Sequence, residues 1–181
     1  ASALAAGAAG IAMGTRFLMT TDVPTPASTL AKYVEVDDVS SIRVTTAVDG
    51  MRHRMIDNPF VRRLESASPV GRLLIAVRSA WQWKAQTGMS AGHAFGVLVK
   101  AIKEDPSSVS QVVMSANQPV LLQHSMVQGR PDEGILPSGQ VAAAIGELKS
   151  CKEVIEGIAS EAEACLRALF ERAMAGEGSA S

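Results

Sequence analysis

The chain has 181 residues, 47% of them hydrophobic, and 17 Lys and Arg against 18 Asp and Glu give it a net charge of −1. That balance gives no global drive toward nucleic acid, and no apolar run approaches the ~20 residues needed to span a bilayer. Cys151 and Cys165 lie fourteen apart with no Cys-x-x-Cys or His partner spacing, so they read as reduced residues in a cytoplasmic setting.

In chain order, Ala1–Gly7 reads as a helix end stopped by Gly7. Ala9–Met13 is a short apolar run, expected to be a buried strand that opens at Gly14-Thr15 into a tight turn. Such a turn suits an anion, because glycine lets the backbone approach a phosphate and a threonine adds a hydroxyl beside its own N–H. After the loop Thr20–Pro26, a helix is expected from about Pro26 to Val34, capped by Thr25. Two alternating runs, Ile42–Val48 and Met51–Ile56, flank Asp49-Gly50 and predict a hairpin with an Asp-Gly turn.

Pro59–Glu65, Pro69–Gln86 and Ala91–Lys103 read as helices, the last capped by Ser90. Residues 43 to 84 carry eight Lys and Arg against Asp49, Asp57 and Glu65. This excess is either a solvated helical face or an anion-attracting rim, in which Arg52, Arg54 and Arg62 would meet phosphates. Trp81 and Trp83 read as core or interface anchors, with stacking on a nucleotide base as the lesser option. His53, flanked by two arginines, His93 and His124 show no carboxylate or metal spacing, and no Ser/His/Asp, Cys/His or metal constellation is present.

Val109–Ala116 and Pro119–Val127 form a predicted helical pair that ends at Gly129. The turn-rich Gly129–Gly139 loop has the character of a functional loop on a rigid scaffold. Gln140–Leu148 then starts a helix, and Ser150-Cys151-Lys152-Glu153 reads as a capping box opening a long one. On that helix Cys151, Ile155, Ile158, Ala162, Cys165 and Leu169 predict a packed face, while Gly176–Ser181 reads as a disordered tail.

Two stretches carry a family resemblance. Ala5-Ala6-Gly7-Ala8-Ala9-Gly10-Ile11-Ala12-Met13-Gly14-Thr15-Arg16-Phe17-Leu18 resembles the strand-8 segment of the nitronate monooxygenase (2-nitropropane dioxygenase-like) family of FMN-dependent barrel enzymes. Asp132-Glu133-Gly134-Ile135-Leu136-Pro137-Ser138-Gly139-Gln140-Val141 is similar to the family's second motif, about 120 residues on. Val112–Asn117 and Ser150–Glu153 look closest to actinobacterial members acting in steroid-ring catabolism.

The resemblance implies an α/β fold, the C-terminal part of a TIM (β/α)8 barrel with a mainly helical insertion. A complete barrel needs about 250 residues, so the chain is expected to be part of a larger flavoprotein. The expected organisation is a closing β/α unit over 1–35, a hairpin and helical lid over 36–130, a return loop and C-terminal helices over 131–175, and the tail 176–181. Ala12, Met13, Gly14 and Thr15 would form half of an FMN phosphate site, and Gln140 would return toward the flavin or substrate. The other half-site and any catalytic residue would lie upstream of Ala1, leaving this chain alone inactive.

Two reactions fit the resemblance. One is an NAD(P)H-dependent reduction of an enone or acyl-CoA, with Arg52 and Arg54 meeting the phosphates. The other is a nitronate monooxygenase reaction using dioxygen on small nitronates. A non-catalytic helical docking subunit, or another barrel using the same turn for a different ligand, stands beside these readings. The expected partners are a small-molecule or acyl-CoA substrate and the remaining barrel half, as upstream segment or partner chain, with a homo-oligomer as an option. Neither nucleic acid nor membrane is expected.

Overall fold

The computed structural model describes residues 1–68, 71, 75 and 117–177. The helices expected over Pro69–Gln86, Ala91–Lys103 and Val109–Ala116, with Trp81, Trp83 and His93, lie outside the described residues. In chain order the structure shows helices α1 (Ser2–Ala5), α2 (Thr15–Leu18), α3 (Ala27–Val34), α4 (Pro59–Ser66), α5 (Asn117–Leu122) and α6 (Cys151–Glu177), and strands β1 (Ile42–Thr45) and β2 (His53–Ile56). The chain divides into two compact units, Pro24–Gly146 and Ala1–Val23 with Glu147–Ser181.

In the unit Pro24–Gly146, α3 buries Thr29, Leu30 and Tyr33 on one face, the spacing of a helix that packs on one side. It starts at Pro26 with no side-chain cap, so the expected cap at Thr25 is not used. α4 forms because Asn58 caps it, accepting from Val61 N at 2.8 Å, with Pro59 at a first-turn position that needs no N–H partner. Its buried Val61 and Leu64 join Ala47, Val48, Met55, Leu121 and Ile135 in one apolar cluster.

The predicted hairpin is present, with β1 and β2 antiparallel and Ile42 opposite Ile56, Thr45 opposite His53. Its turn is not the two-residue Asp-Gly turn. The ladder stops at Thr45 and His53 because Ala47 and Val48 fold inward to the apolar cluster instead of continuing the strand. Asp49, also buried, holds the loop by accepting from Met51 N at 2.8 Å.

In the unit Ala1–Val23 with Glu147–Ser181, α1 ends as the sequence predicts. Gly7 takes φ +90°, and the amides of Gly7 and Ala8 bond Leu4 O and Ala3 O at 2.9 Å each. Ala9–Met13 does not form the expected strand, because a strand needs a hydrogen-bonded neighbour and none is present for it among the described residues. The two chain segments of this unit meet instead at an isolated parallel bridge between Thr20 and Lys149.

α6 opens at the predicted capping box. Ser150 N donates to Glu153 Oε2 at 2.7 Å, and Glu153 N donates to Ser150 Oγ at 3.2 Å. The hydroxyl and amide of Ser150 hold the Glu153 carboxyl below its ordinary pKa. Asp22 adds a second cap by accepting from Cys151 N. The helix runs on through Glu177, past the predicted start of the tail at Gly176. The face it buries matches the predicted one only in part: Cys151, Ile158 and Ala162 are half-buried, while Ile155, Cys165 and Leu169 are exposed and Val154 is buried instead.

Candidate functional site

The Gly10–Phe17 stretch is a turn that opens into α2, whose N-cap is Gly14. Its first backbone bonds are Leu18 N to Gly14 O and Met19 N to Thr15 O, both 3.0 Å, so the amides of Arg16 and Phe17 belong to the first helical turn, ahead of that ladder. No acidic side chain occupies the turn. A Cβ placed on Gly14 would meet nothing within 4 Å, and its φ of −99° is open to any residue. Packing among the described residues therefore does not require glycine there. Open space over an amide-bearing turn is what a phosphate needs, and local N–H groups supply it, since a one-turn helix has little macrodipole. Arg16 is turned to its own unit, Nη1 donating to Glu147 O at 3.4 Å. Ala12 is exposed, and Met13 and Thr15 are half-buried.

The second motif is laid against β2 in the other unit. Ile56 N donates to Leu136 O at 2.9 Å and Ser138 N donates to Arg54 O at 3.1 Å, with an antiparallel bridge between Met55 and Pro137. Three of its carbonyls, and that of Pro131 just before it, are taken up by buried side chains. Asn58 Nδ2 donates to Pro131 O at 2.8 Å and Gly134 O at 2.9 Å, Ser125 Oγ to Ile135 O at 2.5 Å, and Tyr33 Oη to Pro137 O at 2.8 Å. Thr29 Oγ1 in turn donates to Ser125 O at 2.5 Å. Burial pushes the Tyr33 hydroxyl pKa well above the ordinary phenol range, so it stays a donor.

Close backbone approach explains the first glycine of this motif, Gly134. A Cβ on Gly134 would overlap Leu121 O and crowd Ser125 N at 3.0 Å. Ser125 lies in the π-helical turn Gln123–Val127 that continues α5. Gly129, where the predicted helical pair ends, takes φ +67° and a Cβ there would lie 2.9 Å from Pro26 Cβ and Ser28 Oγ. Gln140 follows the pinned loop. It is exposed and begins a 3-10 segment, Gln140–Ala144, not the longer helix expected to Leu148.

The basic residues divide into committed and uncommitted ones. Arg43 bonds Asp57 at 3.1 Å and Glu65 at 2.9 Å, and Arg62 bonds Asp57 at 3.0 Å. Burial acts to raise the Asp57 pKa, but the hydrogen bonds and charges of Arg62 and Arg43 outweigh it and hold the carboxyl below its ordinary value. Arg62 is thereby removed from the anion rim. Arg52 and Arg54 are exposed on and beside β2, and neither has an ion pair among the described residues. His53 is not left in a like-charge setting, since its Nε2 pairs with both carboxylate oxygens of buried Asp49 at 2.9 Å. His124 is half-buried with Nδ1 3.4 Å from Glu133 O.

The structure thus keeps Gly14 and Thr15 in one unit and Gln140, Arg52 and Arg54 in the other. The residues missed by sequence reading are Asn58, Tyr33 and Ser125. Asn58 had a signal, since Asn before Pro at a helix start is a cap pattern; the other two bond carbonyls remote in sequence and had none.

The profile of one family, described as nitronate monooxygenase, matches residues 1–161. The chain belongs to the nitronate monooxygenase family. This bears out the resemblance of the Ala5–Leu18 and Asp132–Val141 stretches, and it places the chain in a family of TIM-barrel, generally FMN-dependent enzymes. Two curated relatives are both named (3aS,4S,5R,7aS)-5-hydroxy-7a-methyl-1-oxo-octahydro-1H-indene-4-carboxyl-CoA dehydrogenase. The one from Rhodococcus jostii (strain RHA1) is 39% identical over 166 residues, covering 90% of this chain and 46% of the relative. The one from Mycobacterium tuberculosis (strain ATCC 25618 / H37Rv) is 40% identical over 164 residues, covering 90% of this chain and 45% of the relative. The chain spans about half the length of the curated relatives it matches. No solved structure gives a significant match. Among the described residues, no helix is long and apolar enough to cross a membrane.

Proposed function

We propose that the chain is the C-terminal part of an FMN-dependent oxidoreductase acting on a CoA thioester in the cytoplasm. The observation that carries this reading is the open, amide-bearing turn at Gly14-Thr15 inside the family-matched segment. Ala12, Met13, Gly14 and Thr15 would hold one side of the FMN phosphate through backbone N–H groups and the Thr15 hydroxyl. Bound FMN would supply the electron or hydride transfer. Gln140 would be offered to the flavin or substrate by a loop that Asn58, Ser125 and Tyr33 keep rigid. The catalytic residue and the rest of the barrel would come from the segment that the relatives carry in addition.

A CoA substrate is supported by the relatives' names and by the contrast among the arginines. Arg43 and Arg62 are neutralised by Asp57, whereas Arg52 and Arg54 keep their guanidinium groups for an outside anion. NAD(P)H would be the reductant when the reaction runs as a reduction. The family description also keeps a nitronate reaction with dioxygen in view. Coenzyme A binding by calorimetry, on the protein with its remaining barrel half, tests the first reading. Arg52→Ala with Arg54→Ala should weaken binding by roughly tenfold or more, about 1.4 kcal/mol. Unchanged CoA affinity, together with turnover of a small nitronate and dioxygen, would favour the second.

A further inference from the structure

The second motif extends the sheet of the hairpin, and the direction in which it runs decides which side chains share a face. Met55 bridges Pro137 antiparallel, Ile56 N donates to Leu136 O and Ser138 N donates to Arg54 O, so Arg54 lies across from Ser138. Carried two residues on, the same pairing sets Arg52 across from Gln140, and Gly139 before it is extended, with φ −83° and ψ 161°. Residues opposite one another, and those two apart along a strand, stand on one face of a sheet. His53 turns to the other face, where it meets Asp49, and Met55 turns there to the apolar cluster. Alternation therefore leaves Arg52, Arg54 and Gln140 together.

This shared face is closed at one end and open at the other. In the row of Ile56 and Leu136 both side chains are buried, whereas Val44, the β1 partner of Arg54, is 54% exposed. Arg52, Arg54 and Gln140 are all exposed, and none of their side chains has a hydrogen-bond or ion-pair partner among the described residues. The backbone beneath them is held all the same. Buried Asp49 ties down the residues on both sides of Arg52, accepting from Met51 N at 2.8 Å and pairing with His53 Nε2 at 2.9 Å. Two guanidinium groups suit phosphates, while a carboxamide, which both donates and accepts, is the match for a neutral amide. Coenzyme A carries both kinds of group. We propose that Gln140 is a substrate-specificity residue, whose carboxamide bonds an amide of the pantetheine arm of the coenzyme A that Arg52 and Arg54 hold by its phosphates, and that it is not a flavin contact. The inference rests on the coenzyme A reading given above.

Calorimetry on the protein with its remaining barrel half tests this, using coenzyme A and, separately, the same nucleotide without its pantetheine arm. Gln140→Ala should weaken coenzyme A roughly three- to tenfold, leave the armless nucleotide unchanged, and keep the flavin absorbance and urea midpoint of the parent. Arg52→Ala should weaken both probes. A Gln140→Ala protein with the parent's coenzyme A affinity, where Arg52→Ala has lost affinity, overturns the inference and leaves the coenzyme A reading standing. Equal weakening of both probes by Gln140→Ala would put the side chain at the phosphates, and loss of FMN at unchanged coenzyme A affinity would put it at the flavin; either result overturns the assignment. A parent with no affinity for either probe removes the coenzyme A reading and this inference with it.

Discussion

Replacing Asn58 separates two roles that one buried side chain performs. Its Oδ1 caps α4 by accepting from Val61 N at 2.8 Å, and its Nδ2 clamps Pro131 O and Gly134 O at 2.8 and 2.9 Å. Losing a cap to alanine costs about 1 kcal/mol. Losing the clamp leaves two carbonyls without that donor in a buried site, about 1–3 kcal/mol each. Asn58→Ala should therefore cost about 3–7 kcal/mol. Asn58→Ser keeps the capping oxygen and removes the clamp, so it should still cost about 2–6 kcal/mol. Urea unfolding followed by circular dichroism reads this as a midpoint lowered by roughly 1–3 M at an ordinary slope. If Asn58→Ser lies within about 0.5 kcal/mol of the unsubstituted protein, the motif loop does not depend on the clamp and the reasoning fails.

The remaining predictions concern the same unit. Gly134→Ala drives a methyl into Leu121 O and should cost about 1–3 kcal/mol by urea unfolding; a stability equal to that of Gly134 would contradict the close approach. Tyr33→Phe removes the hydroxyl that donates to Pro137 O and lies 3.8 Å from Met126 Sδ, and should cost about 1–2 kcal/mol, with faster hydrogen exchange at Ser138 N–H; unchanged exchange there would show that the bond does not hold the loop. Asp57 has its folded pKa held below the unfolded value, so its ion pairs stabilise the fold above pH of about 4 and are lost as pH falls through the folded pKa. Asp57→Asn should flatten the acid limb of a stability–pH curve below about pH 4, and an unaltered limb would assign that loss to other carboxylates.

Legibility in the sequence followed the range of the interaction. The Ser150–Glu153 box and the Gly7 stop are closed by neighbours within a few residues, and both stand in the structure as read. The hairpin strands were legible from alternation. The turn was not, because Ala47 and Val48 are drawn to a cluster with Val61, Leu121 and Ile135 that local pattern does not reveal. Ala9–Met13 reads as a strand from its apolar run, yet strand formation depends on a neighbouring strand, and none is present for it among the described residues. On α6, several helix faces are apolar enough to be buried, and sequence alone did not say that Val154, one residue from the predicted Ile155, is the buried one.

The site was legible as motifs and not as roles. Gly14 and Gly134 look alike in sequence, each a glycine inside a recognisable stretch. In the structure Gly134 is required by the protein's own backbone, whereas the space over Gly14 is open. That difference separates a glycine that packing requires from one that packing among the described residues does not.

The most direct test of the account is the flavin absorbance of the protein purified together with the remaining barrel half, compared with its Gly14→Leu variant. A Cβ at Gly14 meets nothing within 4 Å among the described residues, so the variant should fold and lose its bound FMN. A Gly14→Leu protein that stays as yellow as the parent would contradict the phosphate role of the Gly14-Thr15 turn. A parent that remains colourless under saturating FMN would remove the cofactor from the account.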